Sequence, residues 1–138
     1  MNLVSEFPTV VLQRFPAAAI FKISTLPTDL PELARQISAI EQPWALLLRS
    51  VGVAYLALLP ANESDGSLLA AKQECARILS LGGRPPWRSV TLPWCSAPLK
   101  RELNVWGALP ANLDLMKKLK SVFDPAGILS PGRFMGGI

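Results

Sequence analysis

The chain has 138 residues, half of them hydrophobic and 17% charged, with a formal net charge of +4. That length suits one domain with a real core, and the charge content is below the roughly one quarter of an ordinary soluble domain. Histidine is absent, which removes the commonest general base, the usual catalytic triads and most transition-metal sites.

From the N-terminus, Met1–Val10 shows no basic segment followed by an apolar one, so no secretory signal is expected. Ala17–Thr25 is β-rich and ends at Leu26-Pro27, a first strand. Asp29 with Glu32 three residues later has the form of a capping box, with Pro31 tolerated in the first turn. Leu30, Leu33, Ala34, Ile37 and Ile40 keep helical spacing and predict a helix over about 30–41. Trp44–Ser50 and Val53–Leu59 read as two strands turning around Gly52. The same apolar stretch is broken by Arg49 and Gly52 and is too short to span a bilayer.

Ser64 or Asp65 can cap a second helix, which Leu68, Leu69, Ala76 and Leu79 stripe and Gly82-Gly83 ends. Cys75 falls in this helical pattern as a small core hydrophobe; with Cys95 it forms no CxxC pair, so neither a zinc site nor a disulfide framework is expected, and a reducing, cytoplasmic setting fits. Arg88–Trp94 is a fourth strand. The order strand-helix-strand, repeated, predicts a ferredoxin-like βαββαβ sandwich: an antiparallel sheet with helices on one face. A proline-bearing loop follows, then a C-terminal helix with Asn112 as N-cap and Asp114 in its first turn, stopped by Pro125. Beyond it lies an extended tail.

Strand alternation places Phe21, Ile23, Leu46 and Leu48 toward the helices and puts Lys22 and Arg49 on the opposite face, which is otherwise apolar. That face, if bare, would favour self-association. The basic pairs Arg84/Arg88 and Lys100/Arg101 and the trio Lys117/Lys118/Lys120 form no run of five and have no interleaved aromatics, the pattern of solvated faces and not of a nucleic-acid surface. An RNA-stacking sheet would need aromatics on the central strands, where only Tyr55 and Phe21 are candidates.

The most specific stretch is the last: Val105-Trp106-Gly107, the basic helix, then Phe123-Asp124-Pro125, Gly127-Ile128-Leu129 and Ser130-Pro131-Gly132-Arg133-Phe134. This order resembles the tail of FAD-linked oxidases of the glycolate oxidase FAD-binding subunit type; Phe21–Pro27 with its capped helix is similar to the start of the same family's cap domain. The resemblance implies that residues 1–138 are a single cap, or substrate-side, domain of a flavin-dependent 2-hydroxy-acid oxidoreductase. FAD would belong to the intact parent enzyme, and the FAD-binding domain, whose Gly-rich pyrophosphate segment has no counterpart here, would be the partner, with other oxidase subunits as further partners. The chain alone is expected to bind no FAD and to be inactive.

The resemblance further implies that Arg49 and Lys22 hold the carboxylate of a small 2-hydroxy acid, since a charge-assisted bond fixes that planar head. Arg133 and Ser130 would contact the flavin domain or the cofactor. Family members commonly carry Asn where this chain has Ser130, which loses the amide donors. Asp124-Pro125 reads as helix-stop chemistry; no catalytic residue and no metal site are assigned. Ile128 and Leu129 are expected to pack on the core, with Ser130–Ile138 mobile or held by a neighbouring copy. The alternative is a stand-alone ferredoxin-like module binding a small molecule or a protein.

Overall fold

The structure, a computed structural model, describes residues 3–60 and 65–138, with side chains from Glu6 and, after the break, from Ala71. Four strands, β1 (Ala19–Ser24), β2 (Trp44–Arg49), β3 (Val53–Leu58) and β4 (Ser89–Trp94), form one sheet in the order β2-β3-β1-β4. Every neighbouring pair is antiparallel. Helix α2 (Leu30–Ser38) connects β1 to β2, and α3 (Asp65–Ser80) connects β3 to β4. This is the ferredoxin-like α+β arrangement that the sequence predicts.

Alternation along the strands decides the core. Phe21 and Ile23 of β1, Ala54 and Leu56 of β3, and Val90 and Leu92 of β4 turn to one face and meet Leu33 and Ile37 of α2 and Cys75 and Ile78 of α3, all buried. Removing each large side chain of this set from water contributes about 1.5–3 kcal/mol. Leu46 packs against the same cluster, while Leu48 on the edge strand stays 40% exposed. Phe21, buried in this core, cannot stack on a base. At one end, the Trp87 indole donates to Gln36 Oε1 at 2.7 Å, tying the loop before β4 to α2.

The β2–β3 turn is closed by Gly52, whose carbonyl accepts from Thr25 N at 2.9 Å. At φ +83°, and with a Cβ there falling 2.3 Å from Thr25 O, this position admits only glycine.

Several local expectations are corrected. Asp29 makes no side-chain cap; its carboxylate accepts from Thr28 Oγ1 at 3.4 Å and lies 3.5 Å from Arg88. Glu32 instead takes Arg35 and Gln36, so the capping box does not form, and these bonds hold its carboxyl down at about 2. Asn112 likewise caps through no side-chain bond. The expected cap at Ser64 lies outside the described residues, as do the side chains of Asp65, Leu68 and Leu69.

The larger correction concerns the second sheet face, which is not free of helices. A helix absent from the sequence reading, α1 (Leu3–Arg14), carries Val11, Phe7 and Leu12, with Phe15 directly after it, onto Ala18, Ile20 and Ala57. An internal proline, Pro8, hides this helix from sequence inspection, because interior proline ordinarily breaks helices; here the residue is buried. Residues after β4 form a short helix α4 (Ala97–Glu102), the C-terminal helix α5 (Leu113–Phe123) and a 3-10 turn at Met135–Gly137.

Candidate functional site

Helix α1 covers one end of the second sheet face, its Phe7 reaching Tyr55, and among the described residues Lys22 and Arg49 toward the other end are exposed. The row Ala45–Ala57–Ile20–Trp94 lies under or beside α1, as the cluster it forms with Val11 shows. The next two rows run Leu47–Tyr55–Lys22–Thr91 and Arg49–Val53–Ser24–Ser89. Lys22 and Arg49 therefore share the open half of this face, and both are exposed. Two strand spacings and one two-residue step separate them by about 12 Å between Cα atoms, within the joint reach of two long cationic side chains. Tyr55, between them, is flanked by the rings of Phe7 at 6.5 Å and Trp94 at 6.3 Å. The floor is thus aromatic and apolar, and the charges on it are positive. Among the described residues neither cation pairs with a carboxylate.

The second region is the C-terminal clasp. Leu92 N donates to Val105 O at 2.7 Å, laying the segment after α4 along the outer edge of β4. Asn104 then closes a tight turn, donating from its amide to Gly107 O at 3.0 Å and accepting from Trp106 N at 3.3 Å. Gly107 sits at φ +71°, where a Cβ would lie 2.3 Å from Val90 O, so the Val-Trp-Gly motif is a backbone requirement. The turn presents Trp106, whose ring meets Phe134 edge-on at 4.9 Å between centroids.

The tail is held by charge and by backbone bonds. Asp124, buried at the end of α5, accepts from Ile128 N at 3.0 Å and Leu129 N at 2.9 Å and pairs with Lys120 at 2.5 Å. The Lys120 ammonium first, and the Leu129 and Ile128 amides, hold its carboxyl below the ordinary range. Lys120 also donates to Leu129 O at 2.5 Å. Asp124 is thus the helix stop that the sequence reading expects. The Ile128 and Leu129 side chains do not join the core; they are 75% and 62% exposed, and only their amides anchor the chain. The tail beyond them curls onto its own chain: Phe134 N bonds Ile138 O, and Leu113 packs 3.0 Å from the position a Gly136 Cβ would take.

Ser130 is the one described non-glycine residue at positive φ, +48°. Asn is several-fold enriched in that conformation. An Asn in place of Ser130 would thus suit the backbone, independent of any amide donor. Ser130 lends its carbonyl to Arg133 N at 3.3 Å, and Arg133 is exposed. The four residues singled out from sequence fall into two groups, Lys22 with Arg49 on the sheet and Ser130 with Arg133 in the clasp. Sequence inspection missed Asn104, and missed the clamp role of Lys120 although its i,i+4 spacing to Asp124 is that of a helix ion pair.

Other chemistry is scarce. Both thiols are free and protonated: burial, then Cys95 and Glu74, pushes Cys75 up to about 12, and burial raises Cys95, which makes them poor nucleophiles. The described residues hold no group of three or more metal-ligating side chains, and no described helix is long and apolar enough to cross a membrane.

Residues 100–134 match the family model for FAD linked oxidases, C-terminal domain. The match runs from α4 to Phe134 and includes both arms of the clasp, and it supports a C-terminal domain of an FAD-linked oxidase. No curated protein and no solved structure matches the chain.

Gly52 and Gly107 approach backbone of this chain itself, whereas the positions a Cβ would take at Gly127 and Gly132 have nothing within 4 Å and are open to solvent. Among the described residues, the cleft beside Trp106 measures about 270 Å³ and that between α2 and α3 about 420 Å³, just below and just inside the roughly 300–1,000 Å³ of ligand sites.

Proposed function

We propose that this chain is the substrate-side cap of a flavin-dependent 2-hydroxy-acid oxidoreductase similar to glycolate oxidase, and that it works against a separate FAD-binding domain. The observation that carries this reading is the pair of cations, Lys22 and Arg49, on the half of the sheet left open by α1. The family match at residues 100–134 supports the flavin context. Arg49 is the first anchor for the substrate carboxylate and Lys22 the second. Tyr55 and Leu47, in the same row as Lys22, exclude water from the bound acid. Arg133 and the Ser130 turn face the flavin domain, and the apolar residues left exposed on α5 and the tail complete that contact. FAD, held elsewhere, supplies the redox chemistry; this chain supplies binding and orientation.

The test is co-production of the chain with an FAD-binding segment encoded beside it or in frame with it. The expected result is a yellow complex whose flavin bleaches anaerobically on addition of a 2-hydroxy acid. In that complex Arg49→Met raises KM roughly ten- to a hundredfold, the value of one charge-assisted bond at about 1.5–3 kcal/mol, and leaves kcat and the melting temperature nearly unchanged. A flavin that dithionite reduces but no 2-hydroxy acid does, or an unchanged KM in the variant, overturns the assignment.

A further inference from the structure

We propose that the cleft between β4 and the C-terminal clasp binds an oxyanion, carboxylate or phosphate, carried on a flat apolar body. The cleft, about 270 Å³, is lined by Thr91 and Pro93 of β4, Lys100 of α4, Val105 and Trp106 of the turn, and Arg133 of the tail. It borders the open sheet half at Thr91, on the edge strand opposite the one that carries Arg49. It extends the proposed role of Arg133, on which it rests, by adding Lys100, Thr91 and Trp106 and by stating what they hold.

The charge pattern comes first. Lys100 and Arg133 reach the same concavity from segments far apart in sequence, and no carboxylate lines it. Neither has an ion-pair partner among the described residues, whereas Arg35, Arg77, Lys72 and Lys120 each do. Two like charges brought into one cleft repel each other, and an anion between them converts that repulsion into two charge-assisted bonds. Lys22 adds a third positive charge nearby, since it is the register partner of Thr91 across the β1–β4 ladder. The Thr91 hydroxyl has only a long bond, 3.5 Å, to Lys22 O, and so can turn to a ligand at little loss.

The walls set the rest of the ligand. Pro93, Val105 and Trp106 are apolar where they meet the cleft, so the anion's body gains by being apolar and planar against the indole. The site is also fixed in advance: Phe134 holds the Trp106 ring, Asn104 holds the turn, and the Leu92–Val105 bond holds the segment to the sheet. A wall that does not need ordering on binding leaves more of the contact energy for affinity.

The experiment uses the full chain and follows the side-chain indole N–H resonance of Trp106, assigned by its loss in Trp106→Phe. Phenyl phosphate, benzoate, inorganic phosphate and benzyl alcohol are titrated separately. Phenyl phosphate or benzoate shifts this resonance saturably, and the tighter of the two identifies the oxyanion. Lys100→Met and Arg133→Met each weaken that binding about tenfold, the low end for a charge-assisted bond in a partly open cleft, and Lys117→Met, on α5, does not. Inorganic phosphate and benzyl alcohol, each with half of the recognised features, bind at least several-fold more weakly. No shift with either aromatic anion at tens of millimolar, equal binding of benzyl alcohol, equal binding of inorganic phosphate, or unchanged affinity in both charge variants overturns the proposal. Because no flavin domain is present, a failure here leaves the substrate-side reading to be judged on KM in the assembled enzyme.

Discussion

The sheet sandwich and the C-terminal clasp hold themselves together by different means. In the sandwich, Phe21, Ile23, Leu56 and Leu92 are fully buried in one apolar cluster. In the clasp, Leu119, Val122, Phe123 and Ile128 lie 50–79% exposed, and the chain is fixed instead by Asp124, Lys120, Asn104 and one aromatic pair. Apolar burial is indifferent to pH and stands on its own; a carboxylate clamp depends on ionisation and leaves its greasy side chains facing outward. The first region thus carries a core of its own, and the second leaves its apolar side chains open to solvent.

Four changes test this contrast, from the strongest to the weakest. Leu56→Ala removes a fully buried side chain from the centre of β3 and should cost about 2–5 kcal/mol in denaturant unfolding. A cost below about 1 kcal/mol would mean that the sandwich is not the stabilising unit. Asp124→Asn should release Ile128 and Leu129, read as faster amide exchange after residue 124, while the exchange of β1 and β3 amides is unchanged. Lowering the pH of the parent protein should do the same. Because the folded Asp124 carboxyl ionises below its ordinary range, the clamp is complete above that range and is lost as pH falls through the lowered value. Tail exchange that tracks global unfolding at every pH would merge the two regions into one.

Ser130→Gly acts in the opposite direction. It removes the strain of a side chain at φ +48°, about 1 kcal/mol, and should slow exchange in the tail without moving the sheet. Leu119→Ala is the smallest change and the sharpest comparison with Leu56→Ala. In the isolated chain it should shift stability by no more than about 0.5 kcal/mol. A larger loss would show that α5 is covered in solution.

The sandwich was legible because alternation and helical spacing are written directly into the sequence: Phe21 and Ile23, like Ala54 and Leu56, follow period two, and Leu33 and Ile37 follow the helical period. Helix α1 was not, because Pro8 contradicts the pattern around it and only burial against the sheet compensates. The capping box at Asp29 and Glu32 failed for a competitive reason: Arg35 and Gln36, one turn on, capture the glutamate first. The positions of Lys22 and Arg49 on one face could be read from strand period alone. The meeting of Trp106 with Phe134 could not, since it depends on how the tail curls around α5.

The strand order has a consequence for how the molecule is assembled in time. β1 is an inner strand, with β3 on one side and β4 on the other; Ser24 pairs with Ser89 and Ile20 with Trp94. On a growing chain β1 emerges before the other three strands of this sheet, yet one of its edges stays bare until β4 has left the ribosome. Only the β2–β3 hairpin can close locally in the meantime, and loop closure makes the distant β1–β4 pairing the slow step. The clasp follows at once, because its anchor on β4, the Leu92–Val105 bond, spans a short stretch of chain. Synthesis therefore finishes the sheet and fastens its outer edge in nearly the same moment, which shortens the time an unpaired strand is open to other chains.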